Sequence, residues 1–153
     1  MKKSPSPQQE LDGFLDKYLP DIAAQARVCL TTLRARLPGA VQMVYDNYNA
    51  LVIGFGPTEK PSEAIFSLAM YPRYMNVFFL QGTKVPDPQK LLQGAGNQVR
   101  FIRLTGPEDL NRPDVREVMA AAMESARVPF DSSAPGKLII RSVSPKQRTR
   151  RPA

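Results

Sequence analysis

The sequence predicts an α+β domain, with helices packed on one face of a largely antiparallel sheet of five or six strands. Three observations carry this. Apolar residues recur at helical spacing from Leu11 to Leu37, and again from Val115 to Ala126. Between them the period falls to two, in short runs separated by Gly, Pro and Asn. Helices and strands are thus segregated along the chain, without the alternation that a parallel βαβ sheet requires.

The first helix has a clear start. Ser6 can cap it, Pro7 suits the first helical position, and Gln9 completes a capping box with Ser6. Leu11, Phe14, Leu15, Tyr18 and Leu19 share a face, and Pro20 ends the run. Asp21 can cap a second helix with the stripe Ile22, Ala26, Cys29, Leu30, Leu33 and Leu37, stopped by Pro38-Gly39. Strands follow near Val41–Asp46, Leu51–Phe55, Ile65–Tyr71, Met75–Leu80 and Val99–Leu104. Pro113 opens a third helix, with Asp114 and Glu117 in its first turn and Arg127 in its last, as the macrodipole favours. Leu138–Val143 reads as an edge strand or a strap.

A chain of 153 residues with 42% hydrophobic residues fits one domain, placed here at 1–143. The net charge of +7 is unevenly distributed. Residues 137–153 carry six basic residues and no acid, whereas residues 1–136 are nearly balanced. Residues 144–153 therefore read as a mobile basic tail, whose Lys146, Arg148, Arg150 and Arg151 are candidates for nucleic-acid phosphates. No apolar run nears the ~20 residues of a membrane-spanning helix. The lysines near the N-terminus precede no apolar stretch, so no secretory signal is expected. With one cysteine no internal disulfide can form, which fits a reducing cytoplasm.

Several chemistries are removed. The chain has no histidine, hence no Ser-His-Asp or Cys-His catalysis and no His-ligated metal. Cys29 lies within an apolar helical stripe, as a buried thiol does. No Ser is followed three residues later by Lys. Asp46 and Asp87 flank the expected sheet and are the carboxylates best placed for acid–base work, although solvated or capping roles are the commoner fate of such residues. The expectation is a protein that binds rather than catalyses, with no cofactor and no metal ligands.

The most distinctive stretch runs from Phe78 to Leu104. Gly94-Ala95-Gly96 invites a phosphate-loop reading, but the third glycine of a dinucleotide fingerprint and the Gly-Lys-Ser/Thr of a P-loop are missing, and positive φ in a turn is the simpler account. Lys84, Lys90, Arg100 and Arg103 lie near in sequence and could hold an anion there. Arg100 and Arg103 fall on opposite faces of one strand, so only one can point under the helices. A cation there needs a buried partner, for which Asp87, between Pro86 and Pro88, is the candidate. Tyr45, Tyr71 and Phe78 are strand aromatics, and because Phe78 and Phe79 face opposite sides one can lie on an open sheet face. The candidate ligand-binding set is thus Lys84, Asp87, Gly94, Gly96, Arg100, Arg103, Tyr45, Tyr71 and Phe78.

Gly82, Val85-Pro86-Asp87-Pro88, Leu91-Leu92-Gln93-Gly94-Ala95-Gly96 and Val99-Arg100-Phe101-Ile102-Arg103-Leu104 together resemble the signature of the domain of unknown function 1801, or YdhG-like, family. Tyr45-Asp46-Asn47-Tyr48-Asn49, Gly54-Phe55-Gly56, Pro61-Ser62 with Ile65-Phe66-Ser67, and Leu138–Ser144 extend the likeness over most of residues 10–145. The resemblance implies the same α+β fold but little about activity. Some relatives are described as frataxin-like iron chaperones with an acidic surface. This chain departs from that in its neutral body and basic tail, and in Asn97 where many members carry lysine, so no iron ligands carry over. The expected function is a cytosolic, non-enzymatic binding module for a small anionic ligand or a protein partner, possible homodimer included. Nucleic-acid binding by the tail, or iron carriage by family analogy, are the alternatives.

Overall fold

A computed structural model describes residues 4–152; residues 1–3, which include the leading lysines, and Ala153 lie outside the described residues. The order of elements is α1 (Pro7–Leu15), α2 (Pro20–Arg36), β1 (Val41–Asp46), β2 (Leu51–Gly56), β3 (Phe66–Met70), β4 (Met75–Phe79), β5 (Arg100–Leu104), α3 (Pro113–Ser125) and β6 (Lys137–Val143). This is the expected α+β architecture. One six-stranded sheet runs β5-β4-β3-β2-β1-β6. Its neighbours are antiparallel except β6, which lies parallel to β1 at the edge. Between Val44 and Tyr45 the register slips, leaving Arg141 as the bulged residue opposite.

The helix starts follow from capping chemistry. Ser6 accepts from the Gln9 backbone N–H at 3.2 Å, and the Gln9 side chain accepts from the Ser6 N–H at 2.8 Å, which is the full capping box. Asp21 does not cap α2. Pro20 is its first residue, Leu19 stands at the cap without a side-chain bond, and Asp21 sits in the first turn, where its charge suits the dipole. Nor does Arg127 belong to α3, which ends at Ser125.

Strand alternation sorts the core. Val44, Ile53, Leu68, Val77 and Ile102 face the helices and join Leu11, Leu15, Cys29, Leu33, Val118 and Met119 in one buried cluster. Val41 and Met43 point the other way and pack with Tyr45 and Ile139 in a smaller one. The helices therefore cover one face of the sheet and leave the other without a helix.

Candidate functional site

The distinctive block is built around Arg100, not around a ligand. A Cβ on Gly82 would stand 2.4 Å from the Arg100 Cβ, so only glycine fits there. Gly94, at φ +129, lets the loop pass over the same side chain. The Arg100 guanidinium donates to the carbonyls of Gly96 (2.7 Å) and Val99 (2.8 Å). Gly96 itself does not take a positive φ. The expected Asp87–arginine pair does not form. The Asp87 carboxylate accepts from the Leu91 and Leu92 backbone N–H groups, both at 2.9 Å, and so closes its own turn. It borders a small depression of about 140 Å³ that also holds Asp114 and Glu117, an acidic setting that repels an anion. Asp87, Gly94, Gly96 and Arg100 thus have local structural partners.

Lys84 leads to a different place. It lines a cleft of about 350 Å³ between the start of β3, the end of β4, the turn at Gly82–Lys84 and the end of α3. Buried Ile65, Phe79, Val85 and Ala122 and half-buried Val128 supply its apolar wall. Gln81, Lys84, Ser125 and Arg127 supply the polar one. Glu63 also lines it, but its carboxylate accepts from the Thr58 hydroxyl at 2.6 Å. Lys84 and Arg127 form no ion pair among the described residues. Arg127 was expected only to complement the dipole of α3; as a lining residue it was missed, because spacing along the chain does not show what a helix end will face.

Arg103, Phe78, Tyr45 and Tyr71 gather instead on the uncovered sheet face. Register places one row across it as Phe101, Phe78, Ser67, Gly54, Met43 and Ile139, and the next as Arg103, Asn76, Ala69, Val52 and Tyr45. The Phe78 and Phe101 rings meet at 5.6 Å and 49°. At the β3–β4 turn Tyr71 and Tyr74 stack at 4.8 Å, and the Arg103 guanidinium lies 3.9 Å over Tyr74. Its Nε reaches Asn76 Oδ1 at 3.4 Å. Burial, with the neighbouring Tyr74, pushes the Tyr71 hydroxyl above its usual range, partly countered by Arg103.

The basic tail is docked, contrary to the sequence reading. Asp46, fully buried at the end of β1, pairs with Lys17 at 2.5 Å and Arg150 at 2.9 Å. Arg150 is only 4% exposed and also donates to the carbonyls of Asn47 and Tyr48. Gln147 bonds the Asp46 carbonyl, and the Ser144 and Arg148 N–H groups bond those of Asp46 and Tyr48. A buried carboxylate needs a buried cation, and the tail supplies it. Burial alone would raise the Asp46 carboxyl, but hydrogen bonds from Lys17 and Arg150 and the Lys17 charge hold it below its usual range. Of the four phosphate candidates, Lys146 and Arg148 are exposed, Arg151 is exposed while reaching the Asp16 and Lys17 carbonyls, and Arg150 is committed.

Cys29 is fully buried, and burial together with Glu108 and Asp109 pushes its thiol up to about 12, so it is not a nucleophile. Among the described residues no three His, Cys, Asp or Glu side chains gather as a metal-binding group, and no helix is long and apolar enough to cross a membrane. No family model, no curated protein and no solved structure matches the chain.

Proposed function

We propose that the chain is a non-enzymatic binding module whose cleft takes a small amphipathic anion, such as a carboxylate on an apolar body. One observation carries this reading: two cations without acidic partners among the described residues, Lys84 and Arg127, line the same cleft as an apolar wall of Ile65, Phe79, Val85 and Ala122. Its 350 Å³ sits at the small end of ligand sites, which run to roughly 1,000 Å³. The apolar wall supplies affinity for the body of such a ligand, and the cations fix its charged head.

Calorimetric titration with octanoate and with octanol tests this. Octanoate binds and octanol binds more weakly, and Lys84→Met and Arg127→Met each weaken octanoate by roughly 10–100-fold, the usual worth of a charge-assisted hydrogen bond. Equal binding of the alcohol, or no heat from either, removes the reading.

A further inference from the structure

The uncovered sheet face lies on the opposite side of the sheet from the cleft and has a different chemistry. We infer that it binds single-stranded nucleic acid, with bases stacked on Phe78 and Phe101 and the phosphate backbone held by Arg103.

Three features argue for this occupant. The first is the placing of rings. Phe78 and Phe101 are register partners on adjacent strands, half-buried, with centroids 5.6 Å apart. Sheets that present aromatics in this way stack two or three bases, and stacking tolerates any base because each has a π-face. Ser67 beside Phe78 is small and half-buried, whereas Gly54, Ala69 and Met43 farther along are buried, so the accessible platform is the Phe78–Phe101 end of the sheet.

The second is charge. On this face the strands present no carboxylate, since Asp46 of β1 lies on the helix side with Val44, and their cations are Arg103 and Lys137, with exposed Arg141 at the β6 bulge. Lys137 is engaged by Glu59 at 3.0 Å. Arg103 is exposed, and beyond its Nε contact with Asn76 its guanidinium donors have no acceptor among the described residues. Exposed Arg73 adds a second cation in the turn before Tyr74. A polyanion complements such a surface. A second copy of the chain laid face to face brings the same cations and no strand carboxylate to meet them, so self-docking is the less favoured occupant.

The third is preorganisation. Arg103, Tyr74 and Tyr71 form one stack, so the guanidinium is already held 3.9 Å over a ring, at little further ordering cost.

Fluorescence anisotropy with a labelled oligouridylate of ~10 nucleotides, at about 50 mM salt and again at about 200 mM, is the test. The single strand binds more tightly than a duplex of equal length. Phe101→Leu and Phe78→Leu each weaken it by roughly 5–100-fold, the range for loss of a stacking platform. Arg103→Gln weakens it and lowers the salt slope by about 0.7. Ser67→Glu, which sets a carboxylate beside Phe78 without removing any core group, abolishes binding while the melting curve stays two-state. The double variant Arg148→Gln/Arg151→Gln binds as the parent does. No binding at ~100 μM protein in about 50 mM salt overturns the inference. So does binding that is lost only with the tail arginines. A dimer in sedimentation that Phe101→Leu dissociates assigns the face to a second copy and overturns it as well.

Discussion

Tyr18 shows how one side chain joins two layers. It follows α1, is 1% exposed, and its hydroxyl donates to the Met70 carbonyl at 2.7 Å while accepting from the Leu51 N–H at 3.1 Å. It therefore ties the helical layer to β2 and β3 at once. Tyr18→Phe keeps the ring but leaves a buried donor and acceptor unpaired, so urea denaturation should show a loss of about 1–3 kcal/mol; an unchanged midpoint would mean water replaces the hydroxyl. The sequence places Tyr18 on the apolar stripe of a first helix running to Pro20; its burial was legible, but the helix ends at Leu15 and Tyr18 lies in the turn after it. Its partners lie 33 and 52 residues away, and no spacing rule connects them. Arg100 teaches the same lesson. Gly94 stood out as a loop glycine and Gly82 only as part of a family signature, and what both accommodate is a side chain of a later strand rather than an anion.

Among elements, those governed by local chemistry were readable. The capping box of α1, the Pro at the start of α3, and the period-two runs that became β1 to β5 each depend on neighbours within a few residues. The last element was only half readable. Leu138–Val143 is extended as expected, but its parallel pairing with β1 required knowing where β1 lies. The segment after it looked mobile because it is basic and proline-flanked, a composition that favours disorder when no buried acid answers it. Asp46 answers it, and one acid among 14 does not announce itself. The cleft was hidden for the same reason: its lining comes from four separated segments, of which only Lys84 stood out. Truncation after Val143 should leave Asp46 buried with Lys17 as its sole ion-pair partner and should cost roughly 3–5 kcal/mol, read by denaturant melts. A truncated chain as stable as the full one would make the docked tail an ornament.

For the whole molecule, the balance of charge sets the response to pH. With 21 basic residues against 14 acids the fold carries +7 near neutrality, and protonating the acids leaves the basic charges to repel one another. The Asp46 carboxyl sits below its ordinary value when folded, so its stabilisation is complete above that ordinary value and is lost as pH falls through the lower, folded one. Urea midpoints measured from pH ~7 to ~3 should therefore drop most steeply below about pH 4, and Asp46→Asn should begin lower and fall less. A parent and variant with parallel profiles would show that other carboxylates govern acid unfolding. The bond between Arg150 and Asp46 also has a temporal side. It spans 104 residues, so on a ribosome adding about 5–20 residues per second the carboxylate waits roughly 5–20 s for its guanidinium. Over the same interval the outer rim of β1 has no neighbour, since β6 is still being made. The nascent polypeptide thus carries an acid answered by Lys17 alone next to a sticky strand margin, which is where a chaperone has most to protect.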